Sequence, residues 1–261
     1  MQEIGPAPAP ISRSRKVISE AQKTMFTHTR NTIGIQGAWR PLALLVSILL
    51  TLGPLNAAER MVRTIYYRGA EEAPRKAFLY GLSGKYIEVP FPRSNISDAM
   101  KLPDGGGEFI LMPKILAEGE EFPTDAPRVL IPTNWDLTAL LISPDPANKQ
   151  FPIRAQPVNA SPSVFGPGEM LWINLSQITV GGQIGNRKLL LKPDTSELMK
   201  SPATEGGDYP VYIDCVVPGE RKLRWLVRQT WRHLPTARQL VFVQPLPPPQ
   251  IATLHSVAFY D

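Results

Sequence analysis

Cysteine is nearly absent from this 261-residue chain: Cys215 stands alone. One cysteine excludes an intramolecular disulfide and any multi-cysteine zinc or iron–sulfur site. Histidine is almost as scarce, with only His233 and His255 beyond residue 58. They stand 22 residues apart without H-E-x-x-H spacing, so they read as surface or hydrogen-bonded histidines rather than metal ligands. The sequence also lacks a P-loop, a dinucleotide fingerprint, a G-x-S-x-G elbow and a D-x-D-x-D-G calcium loop. Proline-free windows are short, because 23 of the 28 prolines lie between Pro74 and Pro249. Proline removes a backbone donor and clashes inside helices, so long helices are nearly excluded.

Excess charge is missing too, once its position is considered. Six of the 28 basic groups and two of the 23 acidic ones fall in residues 1–58. That leaves 22 and 21 beyond, so the basic balance belongs mostly to the N-terminal part. It is no nucleic-acid signal.

Leu42–Leu52 is eleven residues without a charge, too short to span a bilayer but right for the centre of a secretory signal peptide. Arg30 and Arg40 precede it, Gly53 and Pro54 follow, and Asn56-Ala57-Ala58 offers small residues for cleavage near Ala58. A short membrane anchor is the alternative. Residues before the run are long for a charged region, and a start at Met25 instead of Met1 would give a leader of ordinary length. No cysteine closes the leader, which argues against lipid attachment. The expectation is a periplasmic or secreted protein with no transmembrane segment after cleavage.

Hydrophobic content of 43% excludes wholesale disorder. Between the prolines, short β-prone segments recur every 10–20 residues: 61–67, 75–80, 85–91, 108–112, 128–131, 137–143, 153–158, 169–175, 187–192, 211–217, 223–228, 239–244 and 253–259. Turn signals separate them, among them Gly81-Leu82-Ser83-Gly84 and Asp104-Gly105-Gly106-Gly107. This predicts an all-β, antiparallel, Ig-like sandwich fold. Short helices are expected only at Ser97–Leu102 and Thr195–Lys200. The polar, proline-containing stretch Ser143–Gln150 suggests two tandem sandwiches, residues 59–144 and 148–261, after an N-terminal part at 1–58. One distorted sandwich is the alternative, and no internal repeat is evident. Pro245–Pro249 reads as a stiff connector.

Each candidate for chemistry has a plainer reading beside it. Cys215 with Asp214 and His233 could make a nucleophile, but Val211, Ile213, Cys215 and Val217 share one strand face, which makes Cys215 a small core residue. Glu118, Glu120, Glu121 and Asp125 look like a solvated loop. Residues Arg221, Lys222, Arg224, Arg228, Arg232 and Arg238 form a basic run without an acid, interleaved with Trp225, Trp231 and His233. Arg221, Arg224, Trp225, Arg228, Trp231 and Arg232 are the candidate binding residues, able to hold an anionic polymer such as a wall glycan by charge and stacking. The plainer reading is a strand with Leu223, Trp225 and Val227 inward and Arg224 and Arg228 outward. Trp172 reads as core, whereas Trp135, after Pro132-Thr133-Asn134, reads as an exposed platform.

The strings Phe165-Gly166-Pro167-Gly168-Glu169-Met170-Leu171-Trp172-Ile173-Asn174, Arg187–Leu191, Trp231-Arg232-His233-Leu234-Pro235, Arg238–Phe242 and Pro249–Thr253 resemble a loose group of uncharacterised, exported β-rich proteins of Gram-negative bacteria. The resemblance implies secretion and a β-sandwich. It implies no activity and assigns no residue a role. The expected function is an exported, non-enzymatic structural or protein-interaction module of the cell envelope. A glycan- or anionic-polymer-binding module is the alternative, and a hydrolase with dispersed carboxylates a third class. No cofactor is called for, and the partners expected are an envelope protein or an anionic glycan, not nucleic acid.

Overall fold

Alternation and proline spacing play out as sixteen strands. In a computed structural model of the chain, residues 59–67, 73–104, 106–203, 206–217, 219, 223–246 and 250–260 are described. The leader, its cleavage point and Pro247–Pro249 lie outside them. The strands are β1 Met61–Tyr66, β2 Lys76–Gly81, β3 Tyr86–Pro90, β4 Met100–Lys101, β5 Glu108–Met112, β6 Arg128–Leu130, β7 Leu137–Pro144 and β8 Ile153–Asn159. They continue with β9 Glu169–Asn174, β10 Thr179–Ile184, β11 Arg187–Leu191, β12 Ser196–Lys200, β13 Asp208–Val216, β14 Arg224–Arg232, β15 Ala237–Pro245 and β16 Ala252–Tyr260. All thirteen expected strands are among them.

Both expected helices are instead extended. Ser97 exchanges bonds with Thr64, its N–H donating to the Thr64 carbonyl and its Oγ accepting from the Thr64 N–H. The segment therefore runs along β1 and ends in β4. Thr195 donates its hydroxyl back to the Lys192 carbonyl at 2.8 Å, and Asp194 takes a φ of 56°. That turn delivers Ser196–Lys200 to β9 as β12. In both places strand pairing outcompetes the local helix signal. The unforeseen β10 hides behind Gly181-Gly182. A Cβ at Gly182 would lie 1.9 Å from the Tyr212 carbonyl oxygen, so the packing admits only glycine.

The strands make four four-stranded sheets. Their orders are β4-β1-β7-β8 and β3-β2-β5-β6, then β12-β9-β15-β16 and β11-β10-β13-β14. Adding eight to every strand number in the first pair reproduces the second pair. Orientation repeats as well: β1 runs parallel to β7 and β9 parallel to β15, while the other pairings are antiparallel. The chain thus contains one eight-stranded topology twice. No repeat was evident in the sequence because the topology persists without shared residues: β2 reads Lys-Ala-Phe-Leu-Tyr-Gly where β10 reads Thr-Val-Gly-Gly-Gln-Ile. Segment 145–152 joins β7 to β8 within one sheet, so the change from first to second copy falls between Asn159 and Glu169, later than Ser143–Gln150.

Three cores stack the sheets. Leu140, Ile142, Leu79 and Phe109 fill the first sandwich, and Trp172, Val180, Ile213 and Val241 the second. Between them, Leu141 and Ile65 of the first copy meet Phe242, Ile173 and Phe259 of the second. The two inner sheets are therefore covered on both faces. This is why β7 and β15 read as near-continuous apolar runs without alternation. The outer face of the β3-β2-β5-β6 sheet is covered by the loop after β5. Leu116 and Phe122 pack there against Phe78, Tyr80 and Ile110, and the Leu116 N–H donates to the Tyr80 hydroxyl at 2.9 Å. The acids of that loop face solvent.

Candidate functional site

The basic segment does not form one surface. Register slips by one residue in β14: Ile213 faces Val227, but Asp214 faces Trp225, leaving Leu226 as a bulge. The bulge reverses the phase of the strand. Val227 points into the core, while Leu223 and Trp225, placed inward by simple alternation, are exposed, Trp225 at 71%. Trp231 returns to the inner side and stacks on Trp172, with ring centroids 5.7 Å apart and planes 7° from parallel. Arg228 is bonded to the Asp214 carboxylate and lies 5.6 Å over the Tyr212 ring. Arg232 pairs with Asp208 at 2.9 Å. The sequence shows no acid within the run because the partners come from β13, across the ladder. Arg224 stands opposite Cys215 and is exposed, and Arg221 lies outside the described residues. Arg238 is fully buried: its guanidinium donates to the Ala160 carbonyl and sits 5.2 and 5.3 Å over the Phe165 and Phe259 rings. Of the six candidates, Trp225, Arg228 and Arg232 share the solvent-facing side of the β11-β10-β13-β14 sheet, Trp231 leaves it, and Arg224, paired with Cys215, takes the opposite side at the strand's exposed start.

That side is unusually apolar. Leu190, Gly181, Asp214 and Trp225 form one row across the sheet, with Leu190 66% exposed. Tyr212 and Val216, both roughly half exposed, lie beside it. The equivalent face in the first copy is covered by the long loop between β5 and β6. Its counterpart here, between β13 and β14, spans only 217–223.

Two lateral grooves open where the inner sheets meet. One, of about 290 Å³, runs between β8 and the turn before β12 and is lined by Trp135, Gln156, Asn159, Asp194 and Thr195. Trp135 packs partly against the first core, so it offers an edge rather than an open platform. The other, of about 470 Å³, lies between β16 and the coil before β4 and is lined by Arg63, Asn95, Asp98, Ser256, Ala258 and Tyr260. The two copies place equivalent elements in these grooves, β8 with 194–196 and β16 with 94–98. Sequence reading missed Arg63. It sits in an otherwise uncharged β1, and a lone cation in a buried strand is the signal that could have found it.

Cys215 is buried beside Ile213 and Val227, as its alternation predicts. His255 stacks on Phe242 at 5.1 Å, and burial pushes its pKa below the usual histidine value. His233 packs under Gly168 near Glu169 and Ser201 at a shallow depression. No hydrogen bond joins Ser201 to His233, as a nucleophile and its base require. Among the described residues, no three His, Cys, Asp or Glu side chains converge as metal ligands, and no helix is long and apolar enough to cross a membrane. Among the described residues, Glu120 and Asp104 are the carboxylates whose acidity moves. Both fall below the usual range, Glu120 chiefly through the Ala117 N–H and Asp104 through Lys85. The chain matches no family model, and no curated protein matches it.

Proposed function

We propose that the chain is an exported, non-enzymatic structural or protein-interaction module of the bacterial cell envelope. The observation that carries this reading is the bare outer face of the β11-β10-β13-β14 sheet. Leu190, Tyr212, Val216 and Trp225 stand exposed where the equivalent face of the first copy is covered by Leu116 and Phe122. A contiguous exposed apolar face with a charged rim is what a protein contact uses, and an exposed tryptophan is a frequent energetic anchor. The test is a cross-linked pull-down from intact cells, with the protein tagged at Asp261 and exported by its own leader. One envelope protein should come down in near-stoichiometric amount, and Trp225→Ser should reduce its recovery at least tenfold. No protein partner, or one indifferent to Trp225→Ser, refutes the reading.

A second reading is favoured by one arrangement: the exposed Trp225 shares its face with Arg228 and Arg232, a stacking residue among cations. It makes the same face a binder of anionic polymer. Loss of retention on an anionic column after Arg224→Ala and Arg228→Ala would support it, and unchanged retention would count against it. The pairing of Arg228 and Arg232 to carboxylates weakens this alternative, since those charges are already compensated.

A further inference from the structure

The free edge of β16 is built for strand addition. The Leu246 N–H donates to the Ile251 carbonyl at 2.9 Å, which makes that pair a bonded one. In an antiparallel ladder bonded and non-bonded pairs alternate. With the unbroken register of β15 and β16, His255, Val257 and Phe259 turn their backbone groups to β15. Ser256 and Ala258 turn theirs outward, into the 470 Å³ groove. Consecutive residues 256–258 line that groove, as they can only if it runs along the strand's edge rather than over one face.

Native sheets blunt long edges with proline, charge, bulges or brevity. The other long edges here do so: β8 carries Pro157, β14 carries a bulge and three arginines, and β4 has two residues. β16 carries none of these devices across Ala252–Tyr260. Within the groove, Arg63 lies 5.7 Å over the Phe259 ring. Its Nε is sealed from solvent without an acceptor, and no described carboxylate pairs with it. Asp98 lines the same groove beyond ion-pair reach. Leaving a half-buried guanidinium unpaired is costly, and a carboxylate delivered from outside removes the cost.

We infer that β16 and Arg63 together receive an extended, acidic segment of a partner protein, which adds as a fifth strand and places one carboxylate on Arg63. Backbone pairing supplies affinity, and the acid sets register and choice. Ile96 and Val257 line the same groove, so an apolar residue two positions from the acid completes the pattern. This rests on the interaction reading but uses a different surface from Trp225.

The experiment pans a displayed library of random nonapeptides against the full chain. Recovered peptides should share β-prone residues around one Asp or Glu. Their binding should fall at least tenfold with Ala258→Pro, which removes an outward N–H and leaves the β15 ladder intact. Arg63→Glu, which does not touch the backbone, should exchange the acidic preference for a basic one. No enrichment, peptides without an acid, or full competition by free glutamate would overturn the proposal. So would self-association lost on Ala258→Pro, which would assign the edge to a second copy. An envelope partner whose capture depends on Trp225 but not on Ala258 or Arg63 would overturn this inference and leave the interaction reading standing.

Discussion

Replacing Arg238 tests how the two copies are joined. Its side chain is 0% exposed and lies between Phe165 and Phe259, residues of the core that the inner sheets share. Arg238→Ala leaves the buried Ala160 carbonyl without this donor, at about 1–3 kcal/mol. It also removes two desolvated cation–ring contacts, each about 2 kcal/mol, and two packed methylenes at about 0.8 kcal/mol each. Against these stands the cost of burying a guanidinium, several kcal/mol, which the substitution relieves. The balance is a loss of about 3 kcal/mol, or roughly 6–12 °C in Tm for a unit of this size. Arg238→Met keeps the stem between the rings and also sheds the buried charge, so it should lose about 1 kcal/mol or less. Urea melts followed by tryptophan fluorescence read both variants. If Arg238→Met falls as far as Arg238→Ala, the charge itself holds the rings and the packing argument is wrong. If Arg238→Ala costs under 1 kcal/mol, the guanidinium is not sealed between the copies.

Two further outcomes follow from local geometry. Gly168 has a φ of 74°, and a Cβ there would come 3.2 Å from His233 Cε1; Gly168→Ala should therefore cost about 1–2 kcal/mol, measured by thermal denaturation. His255 is held below its ordinary pKa of 6.5 by burial; the unfolded chain then takes up the proton first, so stability is full above that pH and declines as pH falls through it toward the lower folded value. Replacing His255 with Gln should flatten this segment of the stability–pH curve, and an unchanged slope would remove His255 as its source.

Much of the fold was legible because each strand is bounded by its own punctuation. Pro127 and Pro132 frame β6, and Gly81–Gly84 turns β2 into β3. What escaped depended on partners distant in sequence. Ser97–Leu102 and Thr195–Lys200 look like short helices until β1 and β9 claim their segments. Gly181-Gly182 looks like a loop until Tyr212 lies against it. The candidate site was legible as a composition and not as a surface. A one-residue bulge at Leu226 decides that Trp225 faces out and Trp231 faces in, and no periodicity rule anticipates a bulge. Arg238 looked like one more surface cation because its ring partners lie at Phe165 and Phe259, far along the chain. The duplication was invisible since strand order, not residue identity, is what repeats.

Parallel pairing of β1 with β7 and of β9 with β15 has a consequence for how the chain reaches this state. Met61 meets Leu137, and Met170 meets Gln239, so each inner sheet is closed by residues some 70 positions apart. Loop-closure entropy must be met before such contacts form, which makes folding slow and late. Neither inner sheet can close until nearly its whole copy has emerged, and the shared core waits for β15. A chain wired this way stays open for most of its synthesis and locks only once its C-terminal strands arrive.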